Sequence, residues 1–232
     1  MKPVCDDRSE HHKTLKRFWK KESDRRVKNY VELKNNSIMP NWCLTNYTIV
    51  GEKDELDELY NLMRNLEEME TPLCPNCFGS DWLGCLIVAL GEKWEDYCCR
   101  GYWRDLERGV GNITFETKTA WKPANDVFEL LRRKYPSLKY YFYAEEPDGC
   151  IYETNDAKGE FYPNRLYVFI FIFDEICEQK YFRTDEQMFE WIGIQIGHTV
   201  SSAEEVTEHF NGLNKKGKSA YCEMYRILVV DH

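Results

Sequence analysis

Met39-Pro40-Asn41-Trp42-Cys43-Leu44-Thr45-Asn46-Tyr47-Thr48-Ile49-Val50-Gly51 is the stretch that decides the fold. It is rich in β-branched and aromatic residues, and apolar and polar positions interleave as in a strand covered on one face. Gly51 ends it, and an acidic, apolar-striped segment follows. The reading is a first strand with Trp42 and Cys43 as its inward anchors. The folded body is expected to start at Met39, leaving residues 1–38 as an optional arm.

The downstream pattern extends this start. Leu56, Leu59, Tyr60, Leu62, Met63 and Leu66 recur at spacings of three and four, which predicts a helix over 52–68. An insert over 70–100 holds a Pro- and Cys-rich loop. It also holds a nearly all-apolar helix from Trp82 to Leu90, with Ser80 or Asp81 as its cap. Two strands follow, Gly101 to Glu107 and Asn112 to Trp121, joined by Gly109-Val110-Gly111, whose glycines are expected to supply the positive φ of a hairpin. Pro123 opens a helix over 124–135, Pro136 stops it, and 138–145 and 150–154 read as strands.

Strand, helix, insert, strand, strand, helix, strand is the ferredoxin-like order: an antiparallel sheet with helices on one face. The fold class is therefore α+β. The expected layout is a basic arm over 1–38, a ferredoxin-like domain over 39–163 carrying the Cys-containing helical insert at 70–100, and an α+β subdomain over 164–232. In that last part Arg165 to Phe173 and Glu178 to Arg183 read as a strand pair. Thr184 and Ser202 cap two helices, and Tyr221 to Val230 forms the last strand.

Charge is unevenly spread. Residues 1–38 carry eleven Lys/Arg against six Asp/Glu; the remainder carries twenty against thirty-four. So acidic a body disfavours a broad phosphate-binding surface and leaves the arm as the basic element. No apolar run approaches the ~20 residues of a membrane span, and the N-terminus lacks the apolar core of a signal peptide. A cytoplasmic protein with reduced thiols and no membrane partner is expected.

Several motifs fall in one order: Met-Pro-Asn-Trp-Cys at 39–43, Gly51, Trp82 with Gly91-Glu92-Lys93-Trp94, Glu116 through Pro123, and Glu145-Glu146-Pro147. With these the chain resembles the Api-ninety-two-like (YubB-like) family of phage, plasmid and conjugative-element proteins over residues 39 to about 163. Glu92 and Lys122 depart from the threonine and serine usual in the family. The resemblance implies a ferredoxin-like domain and no activity.

Candidate sites are few. Cys74-Pro75-Asn76-Cys77 has the spacing of a zinc knuckle; Cys98 and Cys99, or Cys85, are the available further ligands, and free thiols are the alternative. Trp42, Trp82, Trp94 and Trp121 are either a shared aromatic pocket or core. Glu145, Glu146 and Asp148 crowd one turn, as a small metal-dependent enzyme would require, or form a solvated turn. Phe115 and Tyr140 through Tyr143 are the strand aromatics on which bases could stack. No nucleotide-binding loop, nucleophile elbow or His-Glu-x-x-His is present. The leading expectation is a non-catalytic, protein-binding accessory of a mobile element; the alternative is nucleic-acid binding through the arm and an aromatic sheet face.

Overall fold

The computed structural model describes residues 40–231. The expectations placed on residues 1–38 and on Met39 lie outside that range.

The described chain is α+β. In order it forms β1 (Trp42–Val50), α1 (Lys53–Glu67), α2 (Leu83–Ala89), β2 (Gly101–Arg108), β3 (Asn112–Ala120), α3 (Asn125–Lys134), β4 (Lys139–Glu146) and β5 (Ile151–Thr154). It continues with β6 (Leu166–Ile172), β7 (Ile176–Phe182), α4 (Asp185–Ile196), α5 (Ala203–Lys215), β8 (Ala220–Arg226) and β9 (Leu228–Val229). Six strands form one mixed sheet in the order β2-β3-β1-β4-β5-β9, and three form a second, β7-β6-β8. All pairs are antiparallel except β5 with β9. After β8, the chain leaves the second sheet and adds β9 to the edge of the first.

The first core lies between the large sheet and α1, α2 and α3. Strand alternation sends Cys43, Thr45, Tyr47 and Ile49 of β1 inward, with Ile113, Phe115, Thr117 and Thr119 of β3 and Tyr140, Phe142 and Ala144 of β4. Tyr47 stacks on Phe128 of α3 at 3.8 Å between ring centroids and donates to Asn125 Oδ1. Cys43 is an inward anchor, and burial pushes its thiol up to about 12. Trp42 corrects the expectation: neighbouring strand residues face opposite ways, so it is half-buried on the outer face. Gly51 has a packing reason. A Cβ there would lie 2.7 Å from Leu138 Cδ2 and 2.9 Å from the Ser137 carbonyl oxygen.

Two local expectations change. Positive φ in the β2–β3 hairpin falls on Asp105 (φ 56°), at a register shift between Arg104 and Glu107, and not on Gly109 or Gly111. Trp82 occupies the cap position of α2 without a side-chain cap, in place of Ser80 or Asp81. The rest of the insert carries a single 3-10 turn at Trp94–Asp96.

A second core joins Leu166, Val168, Ile170 and Ile172 of β6 to Met188 and Ile192 of α4 and Val206 and Phe210 of α5. Both helix starts follow the sequence: Thr184 accepts from the Gln187 N–H at 3.3 Å, and Ser202 accepts from the Glu205 N–H at 3.2 Å. Gly197 ends α4 at φ 78°. Between the two sheets lies a tyrosine cluster. Tyr152 stacks on Tyr167 at 5.1 Å and on Tyr225 at 4.6 Å, and Tyr143 meets Tyr181 edge to face at 5.8 Å. Among the described residues no helix is long and apolar enough to cross a membrane.

Candidate functional site

Helix α4 spreads its apolar residues, Met188, Phe189, Trp191, Ile192, Ile194 and Ile196, over more than half of its circumference and leaves one sector to Glu186, Glu190 and Gly193. An apolar stripe this wide exceeds the face that one packing partner covers. Here Met188 and Ile192 face the second core, Trp191 packs on Phe182 at 5.4 Å, and Ile194 is 71% exposed. Beside this outward face a groove of about 670 Å³ runs from the helix start to the segment 197–201. Phe189, Ile194 and Val200 give it an apolar floor, and Asp185, Glu186 and Glu190 an acidic rim.

The far wall is set by close backbone approach. His198 N–H donates to the Gly193 carbonyl at 3.1 Å, and a Cβ on Gly193 would lie 2.9 Å from the His198 carbonyl oxygen. Glu205 holds the wall from behind, accepting from Ser201 N–H at 2.7 Å and Ser201 Oγ–H at 3.2 Å. The His198 ring lies 4.6 Å from that of His209, whose pKa is lowered by burial first and then by the neighbouring His198. On the rim, Asp185 Oδ1 accepts from Arg226 Nη2 at 2.6 Å. This is an apolar trough with carboxylates along its edge. It suits an amphipathic, basic segment.

The cysteines pair differently from the zinc-knuckle spacing. Cys74 Sγ lies 3.9 Å from Cys85 Sγ, and Asn76 Nδ2 donates to Cys85 Sγ at 3.7 Å. Cys77 and Cys98 are exposed, while Cys99 is buried with its thiol donating to the Trp94 carbonyl at 3.6 Å. Burial pushes Cys74 and Cys99 up to about 11. Among the described residues no three His, Cys, Asp or Glu side chains converge as metal ligands.

The four tryptophans split. Trp82 and Trp94 meet edge to face at 5.2 Å, with Trp82 Nε1–H donating to the Cys99 carbonyl at 2.8 Å. Trp42 and Trp121 instead lie under cations on the other side of the sheet: Lys118 Nζ is 5.3 Å from the Trp42 ring, and Arg100 Cζ is 5.0 Å from the Trp121 ring.

The acidic turn is divided by strand alternation. Glu146 is buried and accepts from the N–H groups of Asp148 and Gly149 at 2.9 and 2.5 Å; burial raises its pKa, and those two bonds oppose the rise. Glu145 faces the opposite side and accepts from the hydroxyls of Tyr143 at 3.1 Å and Tyr181 at 2.6 Å. These carboxylates lock a turn and a sheet junction, so they do not form a pair. Phe115, Tyr140 and Phe142 are core, Tyr141 lies against Phe161 at 4.8 Å, and Tyr143 lies beneath Tyr162 and Tyr181. The strand aromatics expected to stack bases are therefore covered.

Sequence reading passed over the α4 groove, although its signal is there to read: a helix whose apolar stripe is wider than one packing partner covers. In comparison with known proteins, no family model, no curated protein and no solved structure matches this chain.

Proposed function

We propose that this chain is a non-catalytic protein-binding module whose α4 groove receives a basic amphipathic segment of a partner protein. The observation that carries the reading is Ile194: a large aliphatic side chain, 71% exposed, over an apolar trough with an acidic rim. Docking a helix there follows the groove-binding mode, with apolar anchors below and cations against Glu186 and Glu190.

We further propose that the first four strands and their two crossover helices are a ferredoxin-like unit. The supporting facts are the order β2-β3-β1-β4, its wholly antiparallel pairing, and α1 and α3 on one face. With the motifs at 39–43 and 116–123, this arrangement supports membership of the Api-ninety-two-like family and a role as an accessory protein of a phage or other mobile element.

The groove is tested by position-specific crosslinking in bacterial lysate. A photo-reactive residue at 194 should trap a discrete basic partner that the same residue at the fully exposed Val110 does not. Burying what Ile194 now exposes should contribute about 1–2 kcal/mol, so Ile194→Ser should weaken that partner's binding about five- to thirty-fold. Identical products from positions 194 and 110, or unchanged affinity in Ile194→Ser, would sink the proposal.

A further inference from the structure

The outer face of β2, β3 and β1 is built differently from the rest of this acidic body. Register places Lys118 of β3 directly between Leu44 of β1 and Tyr102 of β2, and Trp42 beside Ala120. Side chains two apart on a strand share a face, so Trp42, Lys118, Tyr102 and Arg104 form one continuous patch. Arg100 stands at its upper end, where its backbone carbonyl accepts from Ala120 N–H, and its guanidinium covers Trp121. Trp121 holds φ at 69°, a conformation few bulky side chains adopt, with its N–H donating to the Asn41 carbonyl at 2.8 Å.

Two cations on this face lie against aromatic rings. Arg104 is paired with Glu116 and Asp105, whereas Arg100 and Lys118 contact the rings of Trp121 and Trp42. Glu145, across Leu44, is occupied by two tyrosine hydroxyls. Carboxylates elsewhere on the body are screened over roughly 8–10 Å at physiological salt, so the near charges govern what binds. Aromatic rings interleaved with cations on an exposed sheet face suit a ligand that has both flat rings and phosphates. Trp42 and Tyr102 are half-buried, so their ring planes are held in place while part of each remains accessible.

We infer that this face binds single-stranded nucleic acid: Arg100 and Lys118 swing off the Trp121 and Trp42 rings to meet phosphates, and bases take their place on Trp42 and Trp121 and stack on Tyr102. The site lies on the outer side of the large sheet, is separate from the α4 groove, and does not depend on that groove having a partner. A duplex keeps its bases stacked on each other and offers this face only phosphates, so the site selects unpaired strands.

The test is fluorescence anisotropy of a labelled oligothymidylate of about 12 nucleotides, within the usual site size, titrated with the full chain at several salt concentrations. Trp42→Ala should weaken binding about five-fold or more, and Trp42→Phe should restore most of it. Arg100→Ala with Lys118→Ala should reduce the slope of log affinity against log salt by about 1.4, two single-strand phosphate contacts at ~0.7 each. Lys118→Glu, a surface change that spares the rings, should weaken binding further. Circular dichroism establishes that each variant is folded. Absence of binding at low salt would overturn the inference, and so would binding whose affinity and salt slope ignore all of these substitutions, because the basic segment before residue 39 would then carry it. Equal affinity for a duplex of the same length would also overturn it.

Discussion

Gly193 and Gly212 make a paired experiment, because one substitution should act with opposite sign on two neighbouring helices. Both glycines lie inside helices, where alanine is favoured by about 1 kcal/mol through backbone entropy. At Gly212 in α5 a Cβ meets no atom within 4 Å, so Gly212→Ala should raise stability by about 0.5–1 kcal/mol. At Gly193 in α4 the new Cβ would lie 2.9 Å from the His198 carbonyl oxygen and 3.6 Å from Thr199 Cα. The first is too close and is backbone, so no side-chain rotation relieves it; the second is ordinary contact. Overpacking of this kind costs about 1–3 kcal/mol, and displacing residue 198 also strains its N–H bond to the Gly193 carbonyl, worth about 1 kcal/mol. After the propensity gain is subtracted, Gly193→Ala should be destabilised by about 1–3 kcal/mol. The assay is urea denaturation followed by circular dichroism and by tryptophan emission, to which Trp191 on α4 contributes. Because Gly193 sets the wall of the groove, Gly193→Ala should also weaken the partner trapped at position 194, while Gly212→Ala should not. Two shifts of the same sign and size would refute the close approach of 197–201 to α4, and the groove with it.

Asp156 should make stability depend on pH. Burial raises its pKa, but backbone N–H groups of Tyr162, Phe161, Glu160 and Gly159 outweigh burial and leave it below its ordinary value. A depressed carboxylate stabilises the fold above its unfolded pKa of about 3.9, and that contribution is lost as pH falls through the folded value. Asp156→Asn should therefore cost about 1–3 kcal/mol at pH 7, with the difference from wild type shrinking in acid; a deficit that stays constant down to pH 3 would contradict the linkage. Trp103 is fully buried and its Nε1–H donates to Glu67 Oε1 at 2.9 Å. Trp103→Phe removes this donor and some volume, so it should lose about 1–3 kcal/mol in chemical denaturation, and a loss under 0.5 kcal/mol would show that α1 is not tied to β2 there.

What could be read from the sequence was what repeats along a single element. The β3 alternation assigned Ile113, Phe115, Thr117 and Thr119 to one face, and all four are buried together. Thr184, Gly197 and Ser202 marked helix ends because capping is local chemistry between residues a turn apart. The sequence misleads where a residue's surroundings come from a distant segment. Trp42 looked like an anchor because it is large and apolar, yet alternation allows β1 one inward set, and Cys43, Thr45, Tyr47 and Ile49 fill it. The hairpin glycines read as the source of positive φ, but Gly109 and Gly111 do not adopt it; Asp105 does, at a register shift inside β2 that no local motif announces.

The same distinction explains why the candidate sites moved. A cysteine spacing of two residues says that two thiols can approach each other, and nothing about which other elements surround them. Here α2 packs beside the loop, Cys85 takes the place that spacing gave to Cys77, and the set of four thiols is not assembled. A run of strand aromatics says that half will be core; it does not say that Phe161, Tyr162 and Tyr181 will cover the other half. The surfaces that remain accessible are those with no later segment of the described chain to cover them. One is α4, whose apolar residues exceed what a single sheet can bury. The other is the β2–β3–β1 face, where Lys118 and Arg100 lie over the rings of Trp42 and Trp121. In both, what supports the proposed role is an excess: more apolar surface than the core requires on α4, and more aromatic and cationic side chains than an acidic surface requires on the sheet. Such an excess can be measured only after the core has been assigned, which is why it emerges from the structure and not from periodicity.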